Sequence, residues 1–402
     1  MRAWSDRPFA PVTQLAEVAA AGARIAGENG QSTAVYESAA HPGWLVKRYK
    51  PGFPDEPPEV LDRLIGLPAT MTPGELAVVD AATCWPVSRV VSGAATVGVI
   101  LAKAPAEFFT EVRTPFGPPE SVPLSLDQLV QADPEFYTAR DLAVPDRRER
   151  VRVARNLLRL GALLERRDVV YGDWSYANLF WERGAGRVFL IDMDSCGLSS
   201  RPWVECNSWN DPAVPQGERL TVRTDRYKIA VAVLRVLTGV RGEDPHPALD
   251  ALDTRLRTAP FGDALRCSLD EPPDLRPSSG ELLELLESEL DPRPARRAVP
   301  ADPTPASAPP RRPAPPAPEP APARPASAPP APARAVSAPP TGPARAGRPA
   351  PAPPSGENDP FAPGYHPGAG IGAERLVVPL IIACLGVLAL LLLSGVIAAL
   401  LP

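Results

Sequence analysis

The sequence predicts an α+β protein built from two lobes, a small β-rich lobe over residues 14–105 and a helical lobe over residues 106–291. Short apolar runs separated by turn residues fill the first segment, a pattern typical of strands. From about Arg147 the apolar residues recur at helical spacing. After Asp291 proline and alanine dominate, so we expect the folded part to end there.

The first lobe is predicted to be mostly β with one helix. Its strand candidates are rich in β-branched and aromatic residues and read TAVYES, GWLVKRYK, CWPVSRVV and TVGVILAKA. Between the second and third of these runs, EVLDRLIGL has the spacing of a short helix.

Helices dominate the second lobe. RERVRVARNLLRLGALLERRD places Val151, Ala154 and Leu158 on one face, and TDRYKIAVAVLRVLTG predicts a mostly apolar helix that ends at Gly239. Ser278 and Glu281 form a capping box ahead of LLELL, which predicts a further helix up to Leu290.

Residues 292–375 are predicted to be a disordered linker. The chain has 55 prolines in 402 residues, and this segment is mostly proline and alanine with scattered arginine. Such a composition has too little apolar bulk to offset its ordering entropy and favours polyproline II.

Residues 376–401 form an uncharged apolar run that predicts one transmembrane helix. At about 1.5 Å per residue this helix is longer than the roughly 30 Å hydrocarbon core. Arg345, Arg348 and Arg375 precede the run, so the positive-inside rule places the preceding residues in the cytoplasm. We therefore expect a single-pass, tail-anchored protein of the cell membrane, with the lipid bilayer as a partner.

Charge and composition exclude some functions. The net charge is −5 although the linker is rich in arginine, so the folded part is the more acidic and a nucleic-acid partner is not expected. Five scattered cysteines without CxxC spacing predict free thiols, and the three histidines are too far apart for a catalytic or metal cluster.

The stretch YGDWSYANLFWERGAGRVFLIDMDS, residues 171–195, contains the most informative residues. Asp173 is followed five residues later by Asn178, then by a turn signal and an apolar strand that ends near Asp192. A phosphotransferase site has this layout, because it needs one carboxylate for a hydroxyl proton and an amide and a carboxylate for magnesium.

Over roughly residues 20–290 the chain resembles the protein-kinase-like superfamily, and is most similar to divergent bacterial Ser/Thr-kinase-like membrane proteins. LVKRY resembles the motif of the lysine strand, which implies that Lys47 contacts ATP. GDWSYAN resembles the catalytic loop, with Asp173 as the base and Asn178 as a metal ligand. LIDMD implies that Asp192 binds Mg²⁺, TDRYKIA implies a structural role for Asp225, and RPSSGELLELL resembles the closing helix.

The glycine-rich loop of the resemblance is reduced here. Of the three glycine positions only Gly30 matches, so it is the expected ATP-binding glycine, while Glu28 and Thr33 occupy the other two.

The catalytic segment also departs from the pattern. Gly172 replaces the arginine before the base, so control by a phosphorylated activation segment is not expected, and Ser175 replaces a phosphate-contacting lysine. Asp194 replaces a glycine and is either a second metal ligand or a cap on the following loop. Ala213 aligns with a glutamate that usually pairs with an arginine, which leaves Arg276 unpaired or bound elsewhere. Candidate partners of Lys47 are Glu56, Glu59 and Asp62.

The resemblance implies a membrane-anchored protein that transfers the γ-phosphate of ATP, with Mg²⁺, to a Ser/Thr hydroxyl of an unknown protein. Two alternatives remain open. One is a pseudokinase, a nucleotide-binding regulatory scaffold at the membrane, and the other is transfer to a small molecule.

The linker contains a related repeat, PARPASAPP and PARAVSAPP. In each copy an arginine lies three residues before a serine, which suits the acidic groove of a kinase, so Ser327 and Ser337 are candidate phosphosites. The alternative is low-complexity drift, and phosphopeptide mapping that finds both serines unmodified after incubation with ATP and Mg²⁺ would exclude self-modification.

Overall fold

A computed structural model describes residues 3–290 except 20, 29, 54, 55, 115 and 116. These residues form an α+β protein in which a mixed β-sheet precedes a set of helices, so the predicted class is confirmed. The predicted linker (292–375), the apolar segment (376–401), Ser327 and Ser337 lie outside the described residues. Within the described ranges, no helix combines the length and apolar character needed to cross a membrane.

The strands of the described part are, in chain order, β1 (Val12–Gln14), β2 (Ala21–Ala26), β3 (Ser32–Ser38), β4 (Trp44–Tyr49), β5 (Pro86–Ser92), β6 (Ala95–Ala102), β7 (Phe109–Val112), β8 (Glu120–Pro123), β9 (Val169–Val170), β10 (Leu179–Trp181), β11 (Val188–Leu190) and β12 (Gly197–Leu198).

The main sheet has six strands in the order β1-β5-β6-β4-β3-β2. β1 runs parallel to β5 and the other pairs are antiparallel, which makes the sheet mixed. The four predicted strands are β3 to β6. The edge strands β1 and β2 were not predicted, because one has three residues and the other, AGARIA, is rich in alanine and glycine and has weak β propensity.

The helices of the described part are α1 (Pro58–Gly66), α2 (Pro73–Ala82), α3 (Leu126–Leu129), α4 (Pro134–Thr138), α5 (Arg147–Arg166), α6 (Val222–Thr238), α7 (His246–Asp250), α8 (Thr254–Arg257), α9 (Pro260–Asp270) and α10 (Ser279–Leu290).

The prediction of one helix between the strands was wrong, since two helices, α1 and α2, lie there. The second had a readable signal: Thr72 and Glu75 form a capping box, and Pro73 takes the first helical position. The boundaries predicted for the later helices are confirmed. α6 ends at Gly239 in the left-handed conformation, and the capping box of Ser278 and Glu281 starts α10.

The largest core surrounds α6, a helix that is buried on nearly all sides, as expected for a helix with few exposed polar positions. α5 and α9 pack against it, and α10 packs on α5. A Cβ at Gly161 of α5 would lie 2.8 Å from both Ile229 Cδ1 and Ser279 Oγ, so this helix crossing requires glycine. α6 therefore provides a rigid base beneath the loop that follows β9.

Candidate active site

Three segments distant in sequence meet at one place. β4 contributes Lys47, the loop between β9 and β10 contributes Asp173 and Asn178, and the turn after β11 contributes Asp192. The hairpin of β10 and β11 joins the last two segments, because the amide of Ile191 donates to the carbonyl of Asn178 at 3.0 Å. The structure thus brings together four predicted site residues.

Lys47 is 4% exposed, so it is not the solvent-facing lysine that an amphipathic strand usually carries. Its Nζ lies 3.0 Å from Asp192 Oδ1 and 3.0 Å from Asp194 Oδ1. Burial by itself lowers the pKa of Lys47, but the two carboxylates outweigh it and raise that pKa above its usual range. The lysine is therefore a fixed positive charge at neutral pH.

The acidic residues expected to pair with this lysine face arginines instead. Glu56 binds Arg219 at 2.9 Å, and Asp62 binds Arg89 at 2.7 Å. Glu59 contributes to the negative field at the same Arg89. The lysine's partners come from the turn after β11 and not from the region of α1.

Asp194 has a role that neither sequence alternative described. Its side chain is fully buried, and its Oδ2 accepts the hydroxyl of Tyr49 at 2.9 Å while Oδ1 accepts from Lys47. Burial first, and then the Asp194 carboxylate, raises the pKa of Tyr49. Both oxygens of Asp194 are bound to donors of β4, so it fastens the turn after β11 to the sheet.

Asp192 is held in an uncommon backbone conformation. Its φ of 56° and ψ of 34° lie in the left-handed region, which non-glycine residues rarely adopt outside constrained sites. The hydroxyl of Ser195 donates to its carbonyl at 2.9 Å and helps to hold the turn. Its side chain is 38% exposed, so the carboxylate is accessible to a ligand.

The residues present fit a magnesium ion that arrives with phosphates. Asn178 Nδ2 donates to the carbonyl of Asp173 at 3.0 Å, which leaves the amide oxygen of Asn178 as its acceptor. Among the described residues, no group of three His, Cys, Asp or Glu side chains is arranged to hold a metal by itself. Magnesium at nucleotide sites usually takes one or two protein carboxylates, and phosphates and waters complete its octahedron.

Helix α6 supports the loop of Asp173 from below. The carboxylate of Asp225 accepts the amides of Tyr171 at 2.8 Å and Gly172 at 3.0 Å, which is the predicted structural role. Lys228 donates to the carbonyl of Gly172 at 2.7 Å. Burial raises the pKa of Asp225 to about 6, and the charge of Lys228 opposes that shift.

The thiol of Cys206 contacts the predicted base. Its Sγ lies 3.0 Å from Asp173 Oδ1, in position to donate. Burial raises the pKa of Asp173, and the thiol hydrogen bond partly offsets this effect. Burial also raises the pKa of Cys206, so the sulfur stays protonated. Sequence reasoning missed this contact because the two residues are 33 positions apart without a shared motif.

Gly30 lies in the turn between β2 and β3 with φ +35°, and a Cβ there would meet open space. Glu28, the acidic residue of this turn, is paired with Lys50 at 3.1 Å. Its negative charge, unfavourable beside phosphates, is therefore partly neutralised.

Arg276 pairs with Asp211, two residues before the position that the alignment assigned. Both side chains are buried, and Nη2 of Arg276 lies 2.8 Å from Asp211 Oδ1 within a two-pronged pair. Ala213 offers only a backbone amide, which donates to Asp211 at 3.0 Å. The segment before α6 is thus anchored to the start of α10.

Comparison with known proteins gives no identification, since no family model matches the sequence and no curated protein matches it. Residue chemistry and geometry are therefore the basis for assigning a function.

Proposed function

We propose that this chain is a phosphotransferase of the protein-kinase-like type that uses ATP and Mg²⁺ and acts on a Ser/Thr hydroxyl of a protein. One observation carries the proposal: a buried lysine, a loop aspartate, an amide and a second aspartate converge from three separate segments. Each has the chemical type that phosphoryl transfer requires at that position.

The roles follow from the contacts. Lys47 is a fixed cation suited to the α- and β-phosphates. Its hydrogen bonds to Asp192 and Asp194 fix the position of its ammonium group. Asn178 and Asp192 would hold magnesium, which supplies neutralisation of the phosphate charge when bound.

Asp173 would accept the proton of the acceptor hydroxyl as its oxygen bonds to the γ-phosphorus and the bond to the leaving diphosphate breaks. Its raised pKa makes it a better proton acceptor than an ordinary exposed aspartate.

The proposal includes the bilobal kinase-like fold and the membrane anchor. Support for the fold comes from Lys47 on a central strand of the sheet, from Asp225 under the catalytic loop, and from the buried Asp211–Arg276 pair. Support for the anchor comes from the apolar run at 376–401.

A pseudokinase, a nucleotide-binding scaffold without transfer activity, is the second candidate. The observation that favours it is the thiol of Cys206, which occupies an oxygen of Asp173 where an acceptor hydroxyl would bind.

Purified full-length protein in detergent separates the two candidates. With ATP and Mg²⁺, both predict a thermal shift, and only the phosphotransferase transfers γ-phosphate to a Ser/Thr peptide library. Lys47→Ala and Asp192→Asn are expected to abolish both the thermal shift and the transfer of γ-phosphate. Arg223→Ala, which removes an exposed cation paired with Asp274, is the matched control. A parent protein that neither shifts nor transfers would overturn both candidates.

A further inference from the structure

Gly172 is the residue before the predicted base, and its surroundings are unusually tight. Its φ is +71°, in the left-handed region, and a Cβ would lie 2.7 Å from Arg201 Cδ and 2.9 Å from Leu220 Cδ1. A side chain at position 172 is therefore excluded twice, by backbone conformation and by space. The space beside this backbone is filled by Arg201, which comes from the segment after Asp192.

Arg201 is 4% exposed, and its Nη1 donates to the carbonyl of Tyr171. Its backbone forms a two-bond bridge with Leu220, with N to O distances of 3.0 Å and 2.9 Å. The guanidinium also lies close enough to Asp173 and Asp225 to lower the pKa of each against the effect of burial. A buried cation is costly unless it is paired and hydrogen-bonded, and here the carbonyl of Tyr171 accepts from the guanidinium while the carboxylates of Asp173 and Asp225 lie within its field.

Other residues of the segment 196–220 also form fixed contacts, the first of them with β9, the strand that precedes the loop of Asp173. β12 pairs with β9 through Gly197 with Val170 and Leu198 with Val169. The amide of Ser199 donates to the carbonyl of Asp168 at 2.8 Å. Further along, Asp211 is anchored by its buried pair with Arg276. Each of these contacts uses backbone groups or unmodified side chains.

We infer that Arg201 is a positioning residue that clamps the segment 196–220 onto the loop of Asp173, so that the site is assembled without phosphorylation of this segment. The arginine expected immediately before Asp173 is absent, because Gly172 occupies that position. Arg201, from the segment 196–220, instead binds the backbone of this loop at the carbonyl of Tyr171. A phosphate is then unnecessary, because the guanidinium of Arg201 already binds the carbonyl of Tyr171 in the unmodified chain. This inference rests on the proposed function for its catalytic consequence.

The test uses full-length protein treated with phosphatase and compares the parent with Arg201→Ala, Arg201→Lys and Arg223→Ala. Arg223 is the matched control, since it pairs with Asp274 at an exposed site. Hydrogen exchange of the amides in 196–220 measures directly how firmly this segment is held. Steady-state kinetics read kcat separately from the KM for ATP.

We expect Arg201→Ala to increase exchange at Arg201-to-Leu220 amides and to lower kcat by about tenfold or more, with the KM for ATP changed by less than about twofold. Arg201→Lys should give amide exchange and a kcat between those of the parent and of Arg201→Ala. Arg223→Ala and the phosphatase-treated parent should match the untreated parent in both quantities. Unchanged exchange in Arg201→Ala, or loss of activity on phosphatase treatment, would overturn the inference.

The two proposals fail differently. If the parent transfers no phosphate but Arg201→Ala still increases amide exchange in the segment, the clamp is supported and the proposed function is overturned. If Arg201→Ala does not fold, Arg201→Lys decides by the same exchange measurement, because it keeps the charge and loses the planar fork.

Discussion

At the scale of single residues, one buried ammonium organises the site. Lys47 is shared by Asp192, which is accessible to ligand, and Asp194, which is fully buried. A buried charge must be paired, and two carboxylates with one cation leave one negative charge that the Tyr49 hydroxyl helps to stabilise. The position of the lysine is therefore set by the turn after β11 and not by the location of α1.

Asp194→Asn is predicted to weaken ATP binding and kcat together. The substitution removes the charge that fixes Lys47, and we expect a loss of about tenfold or more in kcat/KM. Nucleotide affinity by calorimetry and incorporation of phosphate into the acceptor peptide measure the two effects. Asp62→Asn, on α1 and paired with Arg89, is the control and should change either quantity by less than about twofold. Equal losses in the two variants would indicate that an acidic residue of α1 positions Lys47 as much as Asp194 does.

Cys206→Ala is predicted to increase transfer to an acceptor. An acceptor hydroxyl must displace the thiol from Asp173, and one hydrogen bond has a net value of about 0.5–1.5 kcal/mol. We therefore expect kcat/KM for the acceptor peptide to rise by about two- to tenfold, with the KM for ATP unchanged. Cys267→Ala, at a partly exposed cysteine of α9, is the control. A lower kcat/KM would show that the thiol supports the base.

At the scale of elements, buried ion pairs join segments that the sequence separates widely. The segment before α6 contributes Asp211 and the segment before α10 contributes Arg276, with the side chains essentially without exposure. The pair of Arg223 and Asp274 joins the start of α6 to the segment before α10 but remains exposed to solvent. Burial makes the first pair far more sensitive to removal of one partner than the second.

Arg276→Ala is predicted to destabilise the protein by about 3–5 kcal/mol, since it leaves Asp211 buried without its cation. Chemical denaturation monitored by tryptophan fluorescence measures the free energy of unfolding. Arg223→Ala should cost less than about 1 kcal/mol. The double variant Asp211→Asn with Arg276→Met should recover part of the loss, and no recovery would argue against an uncompensated charge as the cause.

His246 at the start of α7 is predicted to make stability depend on pH. Hydrogen bonds that the ring donates to Asp270 and then to Asp244 raise the pKa of this imidazole. A raised folded pKa gives stability that is complete below the unfolded value of about 6.5 and is lost as pH rises through the folded pKa. His246→Asn should therefore lower the Tm more at pH 6 than at pH 8.5, and a shift independent of pH would contradict the ion pairs.

At the scale of the whole molecule, the proposed anchor at 376–401 is predicted to hold the chain at the membrane. Full-length protein expressed in bacteria should sediment with membranes and resist carbonate extraction, because the run exceeds the roughly 30 Å hydrocarbon core. A chain ending at residue 375 should remain in the supernatant and keep its nucleotide response. Extraction of the full-length chain by carbonate would contradict the anchor.

The sequence predicted four strands of the main sheet and the helices α5, α6 and α10, because apolar periodicity records which faces are buried, but it did not predict α7, α8 and α9. It failed at β1 and β2, where short or glycine-rich edge strands leave little periodic signal, and at α2, whose capping signal was present but unread. Asp173 and Asn178, which were predicted from one local motif, contact each other in the structure, and their roles stay a prediction.

The sequence alone determined the chemical types in the site and their order, since phosphate, metal and proton chemistry demand particular side chains at short spacings. Only the tertiary structure decided their partners: Asp192 and Asp194 for Lys47, Tyr49 for Asp194, Cys206 for Asp173, Asp211 for Arg276, and Arg201 beside Gly172. These contacts join positions tens of residues apart, and such pairing depends on how segments fold together and leaves no periodic trace in one sequence.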